Sequence, residues 1–159
     1  MITIDASVLV AAGTPDDPAG ADAAAFLAAA FAADLPTHQP TLSLVEVAAA
    51  IARRTGDADL AMQAGQALLS MPGLVLHALD VDASADAAAL AGRLQLRGAD
   101  AIYAATALRH AATLVTLDDE LLARSRPVVD AVSPTEWLKR VAPERLRVSF
   151  PSNPASSSK

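Results

Sequence analysis

Residues 97–110, RGADAIYAATALRH, form the segment that decides how the rest of the chain is interpreted. Asp100 is the only charged residue between Arg97 and Arg109, and the apolar remainder predicts a helix over residues 99–111. A helix that is apolar around almost its whole circumference is normally buried, and an ionised carboxylate is costly to bury without a partner. We therefore expect Asp100 to have a partner, and we predict that this partner is a metal ion rather than another side chain.

The composition indicates one domain with an aliphatic core. Of the 159 residues, 53% are hydrophobic and 3% aromatic, and the absence of cysteine excludes disulfides and cysteine-based metal sites. The formal net charge of −6 argues against a general polyanion binder, although it is compatible with a local basic rim around an acidic site. No apolar run is long enough to span a membrane, and the N-terminus MITID has no signal-like features. We therefore expect a soluble, cytoplasmic protein without a membrane partner.

Short apolar strands alternate with helical segments along the chain. We predict strands at 1–5, 37–41, 74–79, 113–117 and 128–132, and helices at 6–12, 21–33, 43–54, 59–70, 82–96, 99–111, 118–124 and from 134. This alternation predicts βαβ units, and hence a three-layer α/β/α sandwich with a mostly parallel central sheet. We place this domain at residues 1–141 and expect residues 142–159 to form a polar, flexible tail.

Acidic residues stand next to the predicted carboxyl ends of the strands. Asp5 and Asp118 each follow a strand, and Glu46 and Asp100 lie near the starts of helices that begin at the same edge of the sheet. Parallel α/β sheets bind ligands beyond this edge, so we expect the four carboxylates to converge on one cleft. Crowded carboxylates repel one another, and a hard cation removes that conflict. The sequence therefore predicts a Mg²⁺ or Mn²⁺ site.

Each acid also has an alternative, purely structural interpretation. Asp5 and Asp118 stand where helix N-caps stand. Glu46 follows Ser43 by three residues, which is the spacing of a capping box. Asp100 would be favoured by the positive end of its helix dipole. The metal hypothesis therefore depends on the combination of four acids and not on any single one.

Two more acids, Asp119 and Glu120, follow Asp118 directly, and either could assist it. The alternation along residues 113–118 favours Asp118 as the acid at the strand end. Asp119 is then expected to be a solvated acid in the first turn of the next helix.

Other chemistries lack their characteristic residues. Ser7 has no G-x-S-x-G frame, which argues against a serine hydrolase, and the chain contains no P-loop. A phosphatase of the haloacid-dehalogenase type needs D-x-D where this chain has Asp5-Ala6-Ser7, and a later lysine that neither Lys139 nor Lys159 supplies. We predict structural roles for the three histidines, because they show no metal-ligand spacing along the chain: His38, His77 and His110.

Three segments resemble, in order and at fitting separations, the motifs of PIN-domain nucleases. They are MITIDASVLVAA at 1–12, PTLSLVEVAAAIARR at 40–54 and RGADAIYAATALRHAATLVTLDDELL at 97–122. The resemblance covers about residues 1–140, and the third segment is its most specific part. Within this family, the chain looks like the VapC-type toxins of type II toxin–antitoxin pairs.

This resemblance implies the α/β/α sandwich fold and a Mg²⁺- or Mn²⁺-dependent endoribonuclease. It implies that the catalytic and metal-binding residues are Asp5, Glu46, Asp100 and Asp118. Ser7 and Thr116 match polar positions that support the site in such proteins. The resemblance also implies a homodimer and a cognate antitoxin placed across the cleft. Attack of water on an RNA phosphodiester would leave 5′-phosphate and 3′-hydroxyl ends.

Two other functions stay open at this point. The chain could be a housekeeping RNA-processing nuclease that has no antitoxin, or a non-catalytic module that binds a partner and keeps the acids for folding. The sequence does not indicate the RNA target. Arginines that flank the acid-bearing segments could bind RNA phosphates or be ordinary solvated charges, and these are Arg53, Arg54, Arg93, Arg97 and Arg109.

Overall fold

The computed structural model describes the backbone of residues 1–148 and the side chains of residues 1–141. Its strands are β1 Ile2–Ile4, β2 Thr37–Pro40, β3 Leu74–His77, β4 Thr113–Val115 and β5 Ala131–Val132. Its α-helices are α1 Ala6–Ala12, α2 Gly20–Ala32, α3 Leu42–Thr55, α4 Ala58–Ala67, α5 Val81–Leu94, α6 Gly98–Arg109, α7 Asp119–Ser125 and α8 Pro134–Val148. A 3₁₀ turn, Leu68–Ser70, follows α4.

The five strands form one parallel sheet in the order β3-β2-β1-β4-β5. Ile2 at the start of β1 pairs with Thr37 of β2 on one side and with Thr113 of β4 on the other. Parallel neighbours require crossover connections, and helices supply them. Because every strand runs in the same direction, all the carboxyl ends lie at one edge of the sheet.

Apolar clusters cover both faces of this sheet. Val115 belongs to a cluster with Phe26 of α2 and Trp137 of α8, whose rings meet edge-to-face at 5.0 Å. Its neighbour Leu114 belongs to a second cluster with residues of α5 and α6, including the fully buried Tyr103. Adjacent strand residues point to opposite faces, so helices lie on both sides. The predicted three-layer α/β/α sandwich is confirmed.

Helix α6 is the buried helix that the segment 97–110 predicts. Ala101, Ala104 and Ala107 are almost completely buried, and the helix packs against α5, β1 and β2. Small side chains at spacings of three let the helix backbone approach the sheet closely. The first turn of α6, which carries Asp100, is thereby held at the carboxyl edge of the sheet.

Some predicted boundaries differ from the structure. Strand β5 contains only Ala131–Val132, because the amides of Val128 and Val129 both donate to the Ser125 carbonyl at the end of α7 and cannot join the sheet. Helix α8 continues to Val148, so residues 142–148 of the predicted tail 142–159 are helical, and the remainder of that tail lies outside the described residues. Within residues 1–148, no helix combines the length and apolar character needed to cross a bilayer.

Candidate active site

The four predicted acids line one cleft of about 490 Å³ beside the carboxyl ends of β1 and β4. Asp5 follows β1, Glu46 comes from α3, Asp100 from α6, and Asp118 from the segment between β4 and α7. Four separate parts of the chain therefore deliver carboxylates to the same place. The expected convergence of the four acids on one cleft is what the structure shows.

Asp5 is fixed by hydroxyl groups from two neighbouring segments. Ser7 and Thr116 both donate to Asp5 Oδ2, the latter at 2.8 Å. Ser7 Oγ also accepts from the Leu117 amide at 3.1 Å, so the end of β1 is tied to the end of β4. Burial raises the pKa of the Asp5 carboxyl, and the hydroxyl donors partly offset that increase. Ser7 and Thr116, the two residues that the resemblance marks as supporting, thus both contact Asp5.

Asp118 caps a helix and faces the cleft at the same time. Its Oδ1 accepts from the amides of Glu120 at 2.8 Å and Leu121 at 2.9 Å, which caps α7. Its Oδ2 points instead to Arg97, whose Nη2 lies 3.0 Å away. The capping interpretation and the site interpretation of Asp118 are therefore compatible. Asp119, by contrast, is exposed and does not line the cleft.

Asp100 has a side-chain partner, so the expectation that it lacks one is wrong. Arg97 is the N-cap residue of α6, three positions earlier, and its Nε lies 3.2 Å from Asp100 Oδ2. The contact is an ion pair but not a hydrogen bond, since its geometry is too poorly aligned for one. Asp100 Oδ2 is therefore buried without accepting any hydrogen bond. The same guanidinium reaches Asp118 at 3.0 Å and Glu120 at 3.2 Å. The i, i+3 spacing of Arg97 and Asp100 was the sequence signal for this pair.

The cleft is electrostatically crowded around Asp100. Burial raises the pKa of its carboxyl to about 6, Arg97 acts in the opposite direction, and the negative charges of Asp118, Asp5 and Glu46 raise it further. Its side chain is only 15% exposed. One guanidinium therefore does not compensate for the surrounding carboxylates.

Glu46 is free to face the cleft because the predicted capping box does not form. Helix α3 begins at Leu42, so Ser43 lies inside the helix and donates to Gln39 Oε1 at 3.1 Å. Burial raises the pKa of the Glu46 carboxyl, the Tyr103 hydroxyl lowers it, and Asp5 raises it. Glu46 Oε2 is buried and has no hydrogen-bond partner.

The donor set fits a hard divalent cation. Glu46 Oε2 and Asp100 Oδ2 are buried carboxylate oxygens that no hydrogen bond satisfies, and both residues line the cleft. Within residues 1–141, no three acids have carboxylate oxygens that all lie within 4.8 Å of one another. This spacing suits an ion that binds one or two carboxylates directly and keeps several water ligands, as Mg²⁺ usually does.

The sequence profile of the PIN domain family matches residues 2–126. The chain belongs to the PIN domain family. No characterised protein sequence is significantly similar to it.

Several solved structures share the fold of this PIN domain. VapC20 from Mycobacterium tuberculosis, a sarcin-ricin loop cleaving toxin, has a TM-score of 0.66 at 19% identity over 82% of this chain and 98% of its own. PAE2754 from Pyrobaculum aerophilum has a TM-score of 0.65 at 23% identity over 89% of both chains. A chain of a toxin–antitoxin complex from Klebsiella pneumoniae has a TM-score of 0.61 at 18% identity over 84% of this chain and 98% of its own. At these identities the similarity establishes the fold.

The flanking arginines of the PIN domain occupy different places. Arg53 and Arg54 line the cleft, and Arg54 also pairs with Asp17 at 3.2 Å. Arg93 is exposed and lies outside the cleft. Arg109 lies at the far end of α6, where it pairs with Asp86 at 2.9 Å. Arg53, Arg54 and Arg97 are thus the arginines in or beside the acidic cleft.

Proposed function

We propose that this PIN domain is a Mg²⁺- or Mn²⁺-dependent endoribonuclease that hydrolyses RNA phosphodiesters in the cytoplasm. The observation that carries the proposal is the convergence of the carboxylates of Asp5, Glu46, Asp100 and Asp118 on one cleft. In phosphoryl-transfer sites, Mg²⁺ is bound by one or two carboxylates together with water and substrate phosphate.

The residues of the cleft have distinct roles in this proposal. Asp5, Asp100 and Asp118 would hold the ion, one or two of them directly and the rest through water ligands, with Glu46 binding it directly or through water. When bound, Mg²⁺ or Mn²⁺ supplies charge neutralisation and activation of water at neutral pH. The hydroxyls of Ser7 and Thr116 orient Asp5, and the amides of α7 orient Asp118. The carboxylates of Asp5 and Asp118 are therefore held in place by hydrogen bonds within the protein.

The reaction is hydrolysis with the 3′-oxygen as leaving group. The water oxygen bonds to phosphorus, the P–O3′ bond breaks, and the 3′-oxygen takes a proton. The products are a 5′-phosphate and a 3′-hydroxyl end. Arg53, which lines the cleft, is suitably placed to contact substrate phosphate. The 64% exposed side chain of Arg97 is free to turn from Asp118 toward the RNA backbone.

A cleavage assay on an RNA pool tests the nuclease activity. Asp118→Asn retains a side chain that caps helices well but removes a charged ligand, so we expect it to lose cleavage. Asp119→Asn is the matched control, because Asp119 is the exposed neighbour outside the cleft. Wild-type cleavage should require added Mg²⁺ or Mn²⁺ and should yield 5′-phosphate ends. Metal-independent cleavage that gives 2′,3′-cyclic phosphates, or full activity of Asp118→Asn, would overturn the proposal.

We further propose that the protein is the toxin of a type II pair, a homodimer neutralised by a cognate antitoxin. Solved structures that share its fold over nearly their whole length include toxin–antitoxin complexes and a toxin. An apolar groove between α3 and α4 supports a protein partner, since Val45 and Met62 are 63% and 55% exposed there. Val45 also lines the acidic cleft, so a protein seated in the groove would reach the cleft.

Expression of the gene alone, and together with any small gene that adjoins it, tests the toxin assignment. We expect growth arrest from the gene alone, relief by the neighbour, and no arrest from Asp118→Asn. Cleavage in vitro without growth arrest would instead support a housekeeping nuclease that has no antitoxin. Partner binding without RNA cleavage, unaffected by loss of the acids, would support a non-catalytic module.

A further inference from the structure

Three histidines that are distant in sequence meet at the opposite end of α6 from the acidic cleft. His38 lies in β2, His77 ends β3, and His110 directly follows α6. A nitrogen from each ring lies within 4.8 Å of those of the other two, and His38 Nδ1 is 2.9 Å from His77 Nε2. These are all the histidines of the chain. The sequence-based prediction of separate structural roles did not foresee this cluster.

We propose that His38, His77 and His110 form a binding site for a borderline transition-metal ion, of which Zn²⁺ is the best fit. Imidazole nitrogens suit Zn²⁺, Ni²⁺ and Cu²⁺, whereas Mg²⁺ requires oxygen ligands. Three histidines with a fourth position left to water is a known coordination pattern for Zn²⁺. The proposal does not depend on the nuclease assignment of the acidic cleft.

The spacing of the nitrogens is close to what such an ion requires. Zn–N bonds of about 2.0–2.1 Å in a tetrahedral arrangement place the ligand nitrogens about 3.3 Å apart. His38 Nδ1 and His77 Nε2 lie 2.9 Å apart, and one nitrogen from each of the three rings lies within 4.8 Å of the other two. The three rings are stacked, with centroids 3.9–5.1 Å apart. Binding would therefore need ring rotations and not a rearrangement of the backbone.

The surroundings favour neutral imidazoles, which are the form that binds metal. Burial lowers the pKa of His38 and of His77, and the neighbouring His110 lowers both further. Arg109 also lies near His77, but Asp86 pairs with it at 2.9 Å. A cavity of about 240 Å³ lies beside His77 and His110 and has Asp80 and Asp86 in its wall. This cavity has room for a water ligand, and Asp80 supplies a negative charge in its wall, whereas Asp86 is already paired with Arg109.

The histidine site and the acidic cleft are separate places. Asp100 lies in the first turn of α6 and His110 just past its end, about 15 Å apart at a rise of about 1.5 Å per residue. The two cavities share no lining residue. An ion at the histidines would join β2, β3 and the end of α6, and would stabilise the fold by binding only the native state.

Titration of the metal-stripped full chain with ZnCl₂ tests the proposal, and millimolar Mg²⁺ is included so that a hard cation competes with Zn²⁺ for carboxylate oxygens but not for imidazole nitrogens. We expect one tight Zn²⁺ per chain and a higher melting temperature. His77→Gln and His110→Gln should each weaken Zn²⁺ binding at least about tenfold. Asp118→Asn is the matched control and should bind Zn²⁺ like wild type, since Asp118 belongs to the other site.

Co²⁺ provides a readout that does not depend on any variant folding. Wild-type protein loaded with Co²⁺ should show the visible absorption of a low-coordinate nitrogen site. Zn²⁺ binding that is equally tight in both histidine variants, or that is lost in Asp118→Asn, would overturn the proposal. Absence of tight Zn²⁺ binding together with a featureless Co²⁺ spectrum would overturn it as well. The His110→Gln variant should still cleave RNA in Mg²⁺, because His110 lies outside the acidic cleft. A failure of the histidine-site proposal can therefore be told apart from a failure of the nuclease assignment.

Discussion

Replacing Asp100 by asparagine should make the metal-free protein more stable while it removes a metal ligand. The Asp100 carboxyl is 15% exposed, and burial together with three neighbouring acids raises its pKa from 3.8 to about 6. The folded state thus holds the Asp100 proton more tightly than the unfolded chain does. The free energy of unfolding therefore falls as the pH rises from 3.8 through about 6. At neutral pH the charged carboxylate opposes folding.

The magnitude follows from the size of the shift. A shift of about two pKa units corresponds to about 3 kcal/mol at about 1.4 kcal/mol per unit, as an upper limit. Asparagine has nearly the same shape but also loses the Arg97 ion pair, so we expect a gain of about 1–3 kcal/mol at neutral pH. For a chain of this size the melting temperature should rise by several degrees.

Urea unfolding in EDTA at several pH values measures the effect. The stability difference between Asp100→Asn and wild type should be largest at neutral pH and should shrink below about pH 6. The matched control Asp119→Asn changes an exposed acid and should shift stability by less than about 0.5 kcal/mol. A variant that is no more stable than wild type at neutral pH, or a difference that is independent of pH, would refute this reasoning.

Three further substitutions probe the surroundings of the site. Arg97→Gln removes a cation that competes for the cleft carboxylates, so Mn²⁺ should bind several-fold more tightly; weaker binding would show that the guanidinium does not compete. Thr116→Val removes a buried hydroxyl that donates to Asp5 and accepts from the Asp118 amide; chemical denaturation should show a loss of about 1–3 kcal/mol, and an unchanged stability would show that both hydrogen bonds are dispensable. Gly73→Ala should lower stability by more than about 1 kcal/mol in the same assay, because φ is +67° and the added Cβ would lie 2.6 Å from the Leu35 carbonyl oxygen; an unchanged stability would contradict the close approach.

The acidic cleft was predictable from sequence because local patterns encode it. Asp5 directly follows β1 and Asp118 lies three residues past the end of β4, and parallel strands end at one edge of the sheet, so the fold class places both acids near that edge. The apolar pattern of residues 98–109 likewise predicts a buried helix, and with it the position of Asp100. These inferences need only periodicity and the rule for the binding edge.

Contacts that depend on packing were not predictable in the same way. Ser43 and Glu46 have the spacing of a capping box, but helix α3 already begins at Leu42, before Ser43. The Ser43 hydroxyl therefore does not cap the helix and donates to the Gln39 side chain. The pairing of Arg97 with Asp118 joins residues 21 positions apart. Such outcomes depend on the relative placement of helices and strands, which spacing along the chain does not contain.

The histidine cluster shows the same limit most clearly. His38 and His77 become neighbours because β2 pairs with β3 in a register that sets Pro40 opposite His77. His38 lies two residues before Pro40 in β2, and so on the same face of the sheet. His110 joins them because α6 packs across β2. No short-range motif relates the three positions, so a search for ligand spacing along the sequence could not find them.

The most direct test of the central claim is Mn²⁺ binding to the metal-stripped protein, followed by electron paramagnetic resonance of the free ion. If Asp5, Glu46, Asp100 and Asp118 act as one site, Glu46→Gln and Asp118→Asn should each weaken Mn²⁺ binding about tenfold or more. Asp119→Asn should bind Mn²⁺ as wild type does. Equal Mn²⁺ affinity in wild type, Glu46→Gln and Asp118→Asn would contradict the claim that these carboxylates share a metal ion.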